Sequence, residues 1–227
     1  MKFLVLLMIA SLAMSMSMLK EDHTNSHNKK NMRFVVEFNV GGVDFIAAET
    51  VSKEFNKIKI QYTTFSGDVP AFDVVLDATK GEVTQFFNLT GECKKFQHPV
   101  FNLTTYLHDL MLNHTEFVGK RGENLYVYEI KQPEEAGSRT WIYGTHGQNP
   151  HHDHTSFVPK RFQSHHPGQK ETMDFSGEWI DTIDHPVLGE IDFSYPACDN
   201  ANIEKLDANI SFGILGVNPH ALLEMIR

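Results

Sequence analysis

The stretch Phe72 to Cys93, FDVVLDATKGEVTQFFNLTGEC, constrains the fold of this 227-residue chain more than any other. Two apolar runs, Phe72 to Leu76 and Val83 to Phe87, flank Ala78-Thr79-Lys80-Gly81. Short runs of β-branched and aromatic residues around such a tetrapeptide read as strand, turn, strand. Gly81 there is free to take the positive φ that a tight reversal needs. Behind the second run comes Asn88-Leu89-Thr90, an N-glycosylation sequon, and then Cys93, one of two cysteines. A hairpin, a glycan acceptor and a cysteine therefore share 22 residues.

Further strands surround this hairpin. Arg33 to Val40 and Val43 to Ala48 are rich in Val and Phe, and Gly41-Gly42 between them suits a two-residue hairpin turn. Lys57-Ile58-Lys59-Ile60-Gln61-Tyr62 alternates strictly. The expected strand turns Ile58, Ile60 and Tyr62 inward and Lys57, Lys59 and Gln61 to water. Beyond Cys93 the period changes. Leu103, Tyr106, Leu107, Leu110 and Met111 fall at helical spacing, with Asn102 or Thr104 placed to cap the start. On that helix Asn102 and Asn113 project within roughly 20° of each other, about 100° from the apolar stripe. Both carry sequons, so the helix and glycan readings agree.

Gly119 to Gly122 reads as a turn, Leu125 to Ile130 and Thr140 to Tyr143 as strands, and Gly144 to Lys170 as a long irregular loop holding Pro150, Pro159 and Pro167. Strands resume at Met173 to Trp179, Gly189 to Tyr195 and Asn209 to Leu215, and Asn218-Pro219 opens a short terminal helix. The pattern is about nine strands in hairpin order around one good helix. It points to a mainly β, α+β domain and away from a doubly wound sheet.

The N-terminus fixes the expected compartment. Lys2 and the apolar run Phe3 to Ala13, followed by small residues around Ser15 and Ser17, read as a signal peptide over residues 1–17. That run is shorter than the roughly 20 apolar residues a membrane span needs. Residues 18–32 are polar and aperiodic and read as a flexible arm, leaving 33–227 as one domain. Four sequons (Asn88, Asn102, Asn113 and Asn209) behind such a leader predict a secreted glycoprotein, with endosomal or lysosomal residence also compatible. Within the chain Cys93 and Cys198 have only each other as partners. In an oxidising compartment a bridge between them would stabilise by roughly 3 to 5 kcal/mol. Two free buried thiols, or pairing between chains, are the alternatives. Loss of Lys2 takes the formal charge from −9 to −10, which argues against nucleic acid and anionic membrane surfaces as partners. A homodimer is compatible with this composition, and no residue pattern by itself names a ligand.

Candidate chemistry is sparse. His146, His151, His152, His154, His165 and His166, with Asp153, crowd the expected loop at 144–170. His152 and His154 could offer imidazoles to adventitious zinc or copper, although a dedicated site needs ligands on rigid elements. The same histidines would charge together at endosomal pH. Asp181, Asp184, Glu190 and Asp192 stand close in sequence and are oxygen donors for calcium, but they lack EF-hand spacing and read as a solvated face. No hydrolase elbow, zinc-protease helix, phosphate loop or Cys-x-x-Cys motif occurs, and the expectation is a non-enzyme without a cofactor.

The order of these features resembles the ependymin-related proteins, secreted glycoproteins sharing a fold with the LolA-like lipoprotein carriers. The match runs through Asp77-Ala78-Thr79-Lys80-Gly81 and Asn88-Leu89-Thr90-Gly91-Glu92-Cys93, and more weakly through Glu178-Trp179-Ile180, Tyr195-Pro196-Ala197-Cys198, Phe212-Gly213-Ile214 and Asn218-Pro219. Family members usually carry four or more cysteines, and this chain carries two. The resemblance implies a curved antiparallel sheet forming a half-open barrel, with a helix packed across it and an apolar cavity for a hydrophobic ligand. Phe72, Phe86, Phe87, Tyr126, Tyr128, Trp141, Trp179 and Phe193 are the aromatics that such a cavity would draw on, ordinary core being the alternative for each. It also implies, as a second reading, a matrix or adhesion glycoprotein acting through calcium or protein contacts.

Overall fold

The computed structural model describes residues 31–40, 43–64, 71–97, 99–122, 125–131, 137, 139–148, 155–166, 173–184 and 187–204. Six strands come first: β1 (Asn31–Val40), β2 (Val43–Ser52), β3 (Lys57–Thr64), β4 (Phe72–Asp77), β5 (Glu82–Phe87) and β6 (Cys93–Gln97). The helix α1 (Leu103–Asn113) follows, then β7 (Thr115–Arg121), β8 (Leu125–Lys131), β9 (Arg139–Gln148), β10 (Thr155–His166) and β11 (Met173–Asp184). Two 3-10 turns, Glu190–Phe193 and Pro196–Cys198, lead to a short β12 (Ile203–Glu204). No described helix is long and apolar enough to cross a membrane.

All twelve strands belong to one sheet in the order β12-β6-β5-β4-β3-β2-β1-β11-β10-β9-β8-β7. Eleven are antiparallel to their neighbours, and β12 joins β6 in parallel. Two meanders, β1 to β6 and β7 to β11, are thus welded where β1 pairs with β11. The connection from β6 to β7 runs between opposite margins of the sheet, ten strand spacings apart. Laid flat, that is about 48 Å at roughly 4.8 Å per spacing. Residues 98–114 must bridge it, and eleven of them are helical. At about 1.5 Å per helical residue and 3.4 Å per extended one they reach at most about 40 Å. The sheet therefore curls into a half-open barrel, with α1 crossing between its margins.

Local chemistry agrees with this plan. Gly81 takes φ 64° in the β4–β5 turn, and the Asp77 carboxylate accepts from the amides of Thr79 and Lys80 at 3.1 and 3.0 Å. Asn102 caps α1, its Oδ1 accepting from Thr105 N at 2.9 Å. Leu103 and Leu107 are buried. Asn56, at φ 55°, ties three pieces together. Its Oδ1 accepts from Leu103 N at 2.7 Å, its Nδ2 donates to Phe101 O at 2.9 Å, and its own carbonyl accepts from Ala78 N at 3.1 Å. Asparagine tolerates the left-handed region better than most residues.

Several expectations are corrected. The segment 144–170 is mostly hairpin. β9 continues to Gln148 and β10 begins at Thr155, a register shift beside Pro159 absorbing the missing amide. Gly119 lies within β7 next to a bulge, and the turn falls after Arg121 at Gly122. The first strand starts at Asn31, inside the expected arm. Gly189 to Tyr195 is not a strand. It enters the first 3-10 turn, where the Asp192 carboxylate accepts from Gly189 N at 2.7 Å and favours a local loop over a ladder. The expected strand Asn209 to Leu215 and the terminal helix lie outside the described residues.

The segment around Gly189 to Tyr195 changes the reading of β3. Residues 187–199 form a strap over the second face of β3 to β6. Lys57 Nζ meets Glu190 Oε1 at 3.0 Å and Asp77 Oδ2 at 3.3 Å, and Lys59 Nζ donates to the Asp192 carbonyl at 3.0 Å. Tyr195 donates its hydroxyl to Asp73 and stacks on Phe86 at 4.4 Å. Cys93 and Cys198 form a disulfide that pins the strap to β6. Lys57 is therefore buried, and Lys59 and Gln61 half-buried, where the alternation predicted solvent. With apolar neighbours on one side and the strap on the other, every residue of β4 is buried.

Candidate functional site

Register assigns the side chains of the sheet to two faces. On one, Phe38 stacks on its partner Phe45 at 5.3 Å, and Tyr62, Phe72 and Phe87 form a row at 4.7 and 6.0 Å. Phe34, Phe45, Ile58 and Phe162 are at most 1% exposed there, as expected of the face a curled sheet turns inward. Phe162 lies beside Gly177 of β11, where a side chain would collide with its ring, so the glycine lets the aromatic cover the neighbouring strand. A buried carboxylate, Glu49, also sits on this face, and burial together with Glu49 pushes the Tyr62 hydroxyl well above the usual tyrosine range.

Burial gives out toward the β7 margin. Phe117 of β7 is 51% exposed, and Tyr126, Tyr128 and His146 of β8 and β9 are half-buried around it. Phe117 lies 5.4 Å from the Tyr128 ring and 6.2 Å from that of Tyr126. His146 meets Tyr126 edge-on at 4.1 Å, and its Nε2 is 3.3 Å from the Tyr128 hydroxyl. Burial, and secondarily Tyr126, raises the Tyr128 pKa. The Lys120 ammonium stands 4.5 Å from the centre of the Tyr126 ring. Chemically this is an amphipathic platform: flat apolar surface with phenol, imidazole and ammonium at its edge.

The aromatics expected to share a cavity divide between faces. Phe72, Tyr126 and Tyr128 lie on the inward face, Phe72 deep in it and the tyrosines at the margin. Phe86 lies on the opposite face beneath Tyr195. Trp141 pairs with Gln163 and Glu129, one step out of phase with inward-facing Ile142, and so also points away. Phe193 belongs to the strap, buried 6.1 Å from Phe55. Trp179 pairs with Val36 through its backbone, and its side chain is outside the described set. The strand period separates these residues, which no inventory of aromatics could do.

Of the histidines, His151, His152 and His154 lie outside the described residues, as does Asp153. His146 enters the aromatic platform, and His165 sits in β10. Among the described residues no three His, Cys, Asp or Glu side chains gather as a metal site would require. Glu190 and Asp192 are committed to Lys57 and Gly189, and Asp181 and Asp184 belong to β11. Asn88, Asn102 and Asn113 are exposed, and Asn209 lies outside the described set. Sequence reasoning missed Asp73, a buried carboxylate on the strap face accepting from Tyr195, from Gln61 at 3.2 Å and from Asn88 at 3.1 Å. The signal was there: Asp73 and Asp77 alternate opposite Gln61 and Lys57 on the next strand. The outward face also carries an open polar groove of about 350 Å³ between β1, β10 and β11, bordered by Glu37, Glu178 and Arg161.

No protein-family model matches this chain, and no curated protein matches it in sequence. Among solved structures it is similar to an uncharacterized conserved protein from Thermus thermophilus, with a TM-score of 0.51 and 11% identity over 87% of this chain and 99% of that one. Lesser similarity reaches a DUF1329 family protein from Desulfovibrio piger, with a TM-score of 0.41 and 10% identity over 87% and 99% of the two chains. A candidate outer membrane lipoprotein-sorting protein domain from Vibrio parahaemolyticus follows, with a TM-score of 0.39 and 10% identity over 81% and 94%. At such identities the likeness concerns the fold alone, and only the first is close enough to be used even for that.

Proposed function

We propose that this chain is a secreted, N-glycosylated protein that holds a hydrophobic ligand, a lipid or fatty acid, on the inward face of its curved sheet, without catalysis. The observation that carries the reading is the platform of Phe117, Tyr126 and Tyr128. It leaves large aromatics half-exposed at the margin of an otherwise buried apolar face. Exposed aromatic surface of this kind costs solvation free energy unless something covers it. The signal-peptide pattern, the exposed sequons and the disulfide support the extracellular setting. The ependymin-related resemblance rests on the motifs around Gly81 and Cys93. A calcium-dependent alternative would draw on Glu190 and Asp192, and both are engaged within the strap.

Native mass spectrometry of protein secreted from eukaryotic culture tests the reading. The expected result is a lipid-sized adduct that Phe117→Ala and Tyr126→Ala weaken. An adduct-free protein that also leaves an environment-sensitive apolar dye unbound counts against it. Enzymatic deglycosylation in the same samples should lower the mass.

A further inference from the structure

The platform has a cation at its edge whose charge is uncommitted. Lys57, Lys59, Lys80, Lys94 and Lys131 each lie within 4.0 Å of a carboxylate. Lys120 makes no ion pair among the described residues, in a chain whose formal charge is −9. It is exposed, it pairs across strands with Tyr126, and its ammonium stands over that ring. The bulge between Phe117 and Gly119 decides this placement. In a regular strand Lys120, three positions beyond Phe117, would face the opposite side, and the bulge at Val118 brings both to one face. As built, Phe117, Tyr126, Tyr128 and Lys120 share one face. An apolar surface ending in a single unpaired ammonium complements a ligand with an apolar chain and one negative group.

We infer that the ligand is an anionic amphiphile, its chain lying on Phe117, Tyr126 and Tyr128 and its acid group meeting Lys120. This inference rests on the function proposed above and narrows it. Three probes with one chain length and different heads separate the two: dodecanoate, dodecanol and dodecyltrimethylammonium, titrated calorimetrically below their self-association limits. The expected order is dodecanoate tightest, by roughly five- to tenfold over the alcohol, with the ammonium weakest, as for a partly exposed charge pair. Lys120→Gln should abolish the preference for the acid over the alcohol, and Lys120→Arg should retain it. Equal binding of acid and alcohol, or a preference that survives Lys120→Gln, overturns the role of Lys120 and leaves the hydrophobic-ligand reading standing. If none of the three binds, that reading fails with it.

Discussion

Replacing both bridged cysteines, Cys93→Ala with Cys198→Ala, is the sharpest test of the strap. The bridge joins residues 105 apart in sequence. In the chain-entropy treatment, closing a loop of that length restricts the unfolded chain by about 4.8 kcal/mol at room temperature. Domains of ordinary stability have about 5 to 15 kcal/mol in all. The double variant should therefore lose roughly 3 to 5 kcal/mol, read as a lower urea midpoint with a steeper slope, since the unbridged unfolded chain exposes more surface. The structure adds a spatial prediction. Without the bridge the strap is held by Tyr195 stacked on Phe86, by buried Phe193, by the Tyr195–Asp73 and Lys59–Asp192 hydrogen bonds, and by the Lys57–Glu190 pair, whose Glu190 side chain is 72% exposed. Such contacts are worth about 0.5 to 3 kcal/mol each, less than the bridge. Amide hydrogen exchange should then quicken in residues 187–199 of the variant before it does in β3 and β4. A loss below about 1 kcal/mol, or exchange in the strap no faster than in β4, would refute the reasoning.

Three further outcomes are expected. Gly177→Ala should destabilise by about 1 to 3 kcal/mol in urea unfolding, because a methyl there would stand 2.6 Å from Phe162 Cζ and closer still to the Glu37 carbonyl. Asn56→Ala should cost about 1 to 3 kcal/mol by the same assay, since it removes the bonds to Leu103 and Phe101 and places alanine at positive φ. Stability should also fall in alkali. Burial and the bond to Asp73 raise the Tyr195 pKa. Burial works to lower that of Lys57, but Glu190 and Asp77 outweigh it and hold the ammonium above its usual value. Raised folded-state values contribute stability that is complete below the unfolded pKa, about 10 for each, and fades as pH climbs toward the folded one. Unfolding free energy measured from pH 8 to 11.5 should decline above about pH 10, and less steeply in Tyr195→Phe; an unaltered slope in that variant would remove Tyr195 from the explanation.

Much of the fold was legible because it is local. The β4–β5 hairpin, the strand at Lys57 to Tyr62, and α1 with its Asn102 cap follow from turn chemistry and period, both set by residues a few positions apart. β10 escaped because Pro159 and clustered polar residues look like loop, and only a bulge in the register with β9 accommodates them. The strand at Gly189 to Tyr195 was misread because its apolar residues serve a strap, whose docking partners are more than a hundred positions away in β3 and β4. The candidate site was half legible: Tyr126 and Tyr128 were expected, while Phe117, Lys120 and His146 joined them only through strand register.

The sequence by itself determined that the chain is mainly β, that one helix interrupts the strands, and that Cys93 had one partner available within the chain. Those are consequences of side-chain period, turn residues and composition. Tertiary structure decided which face each aromatic occupies, because a single bulge reverses the alternation beyond it. It also decided what covers β4. Every residue of that strand is buried, because curling encloses one face and the disulfide holds a strap over the other.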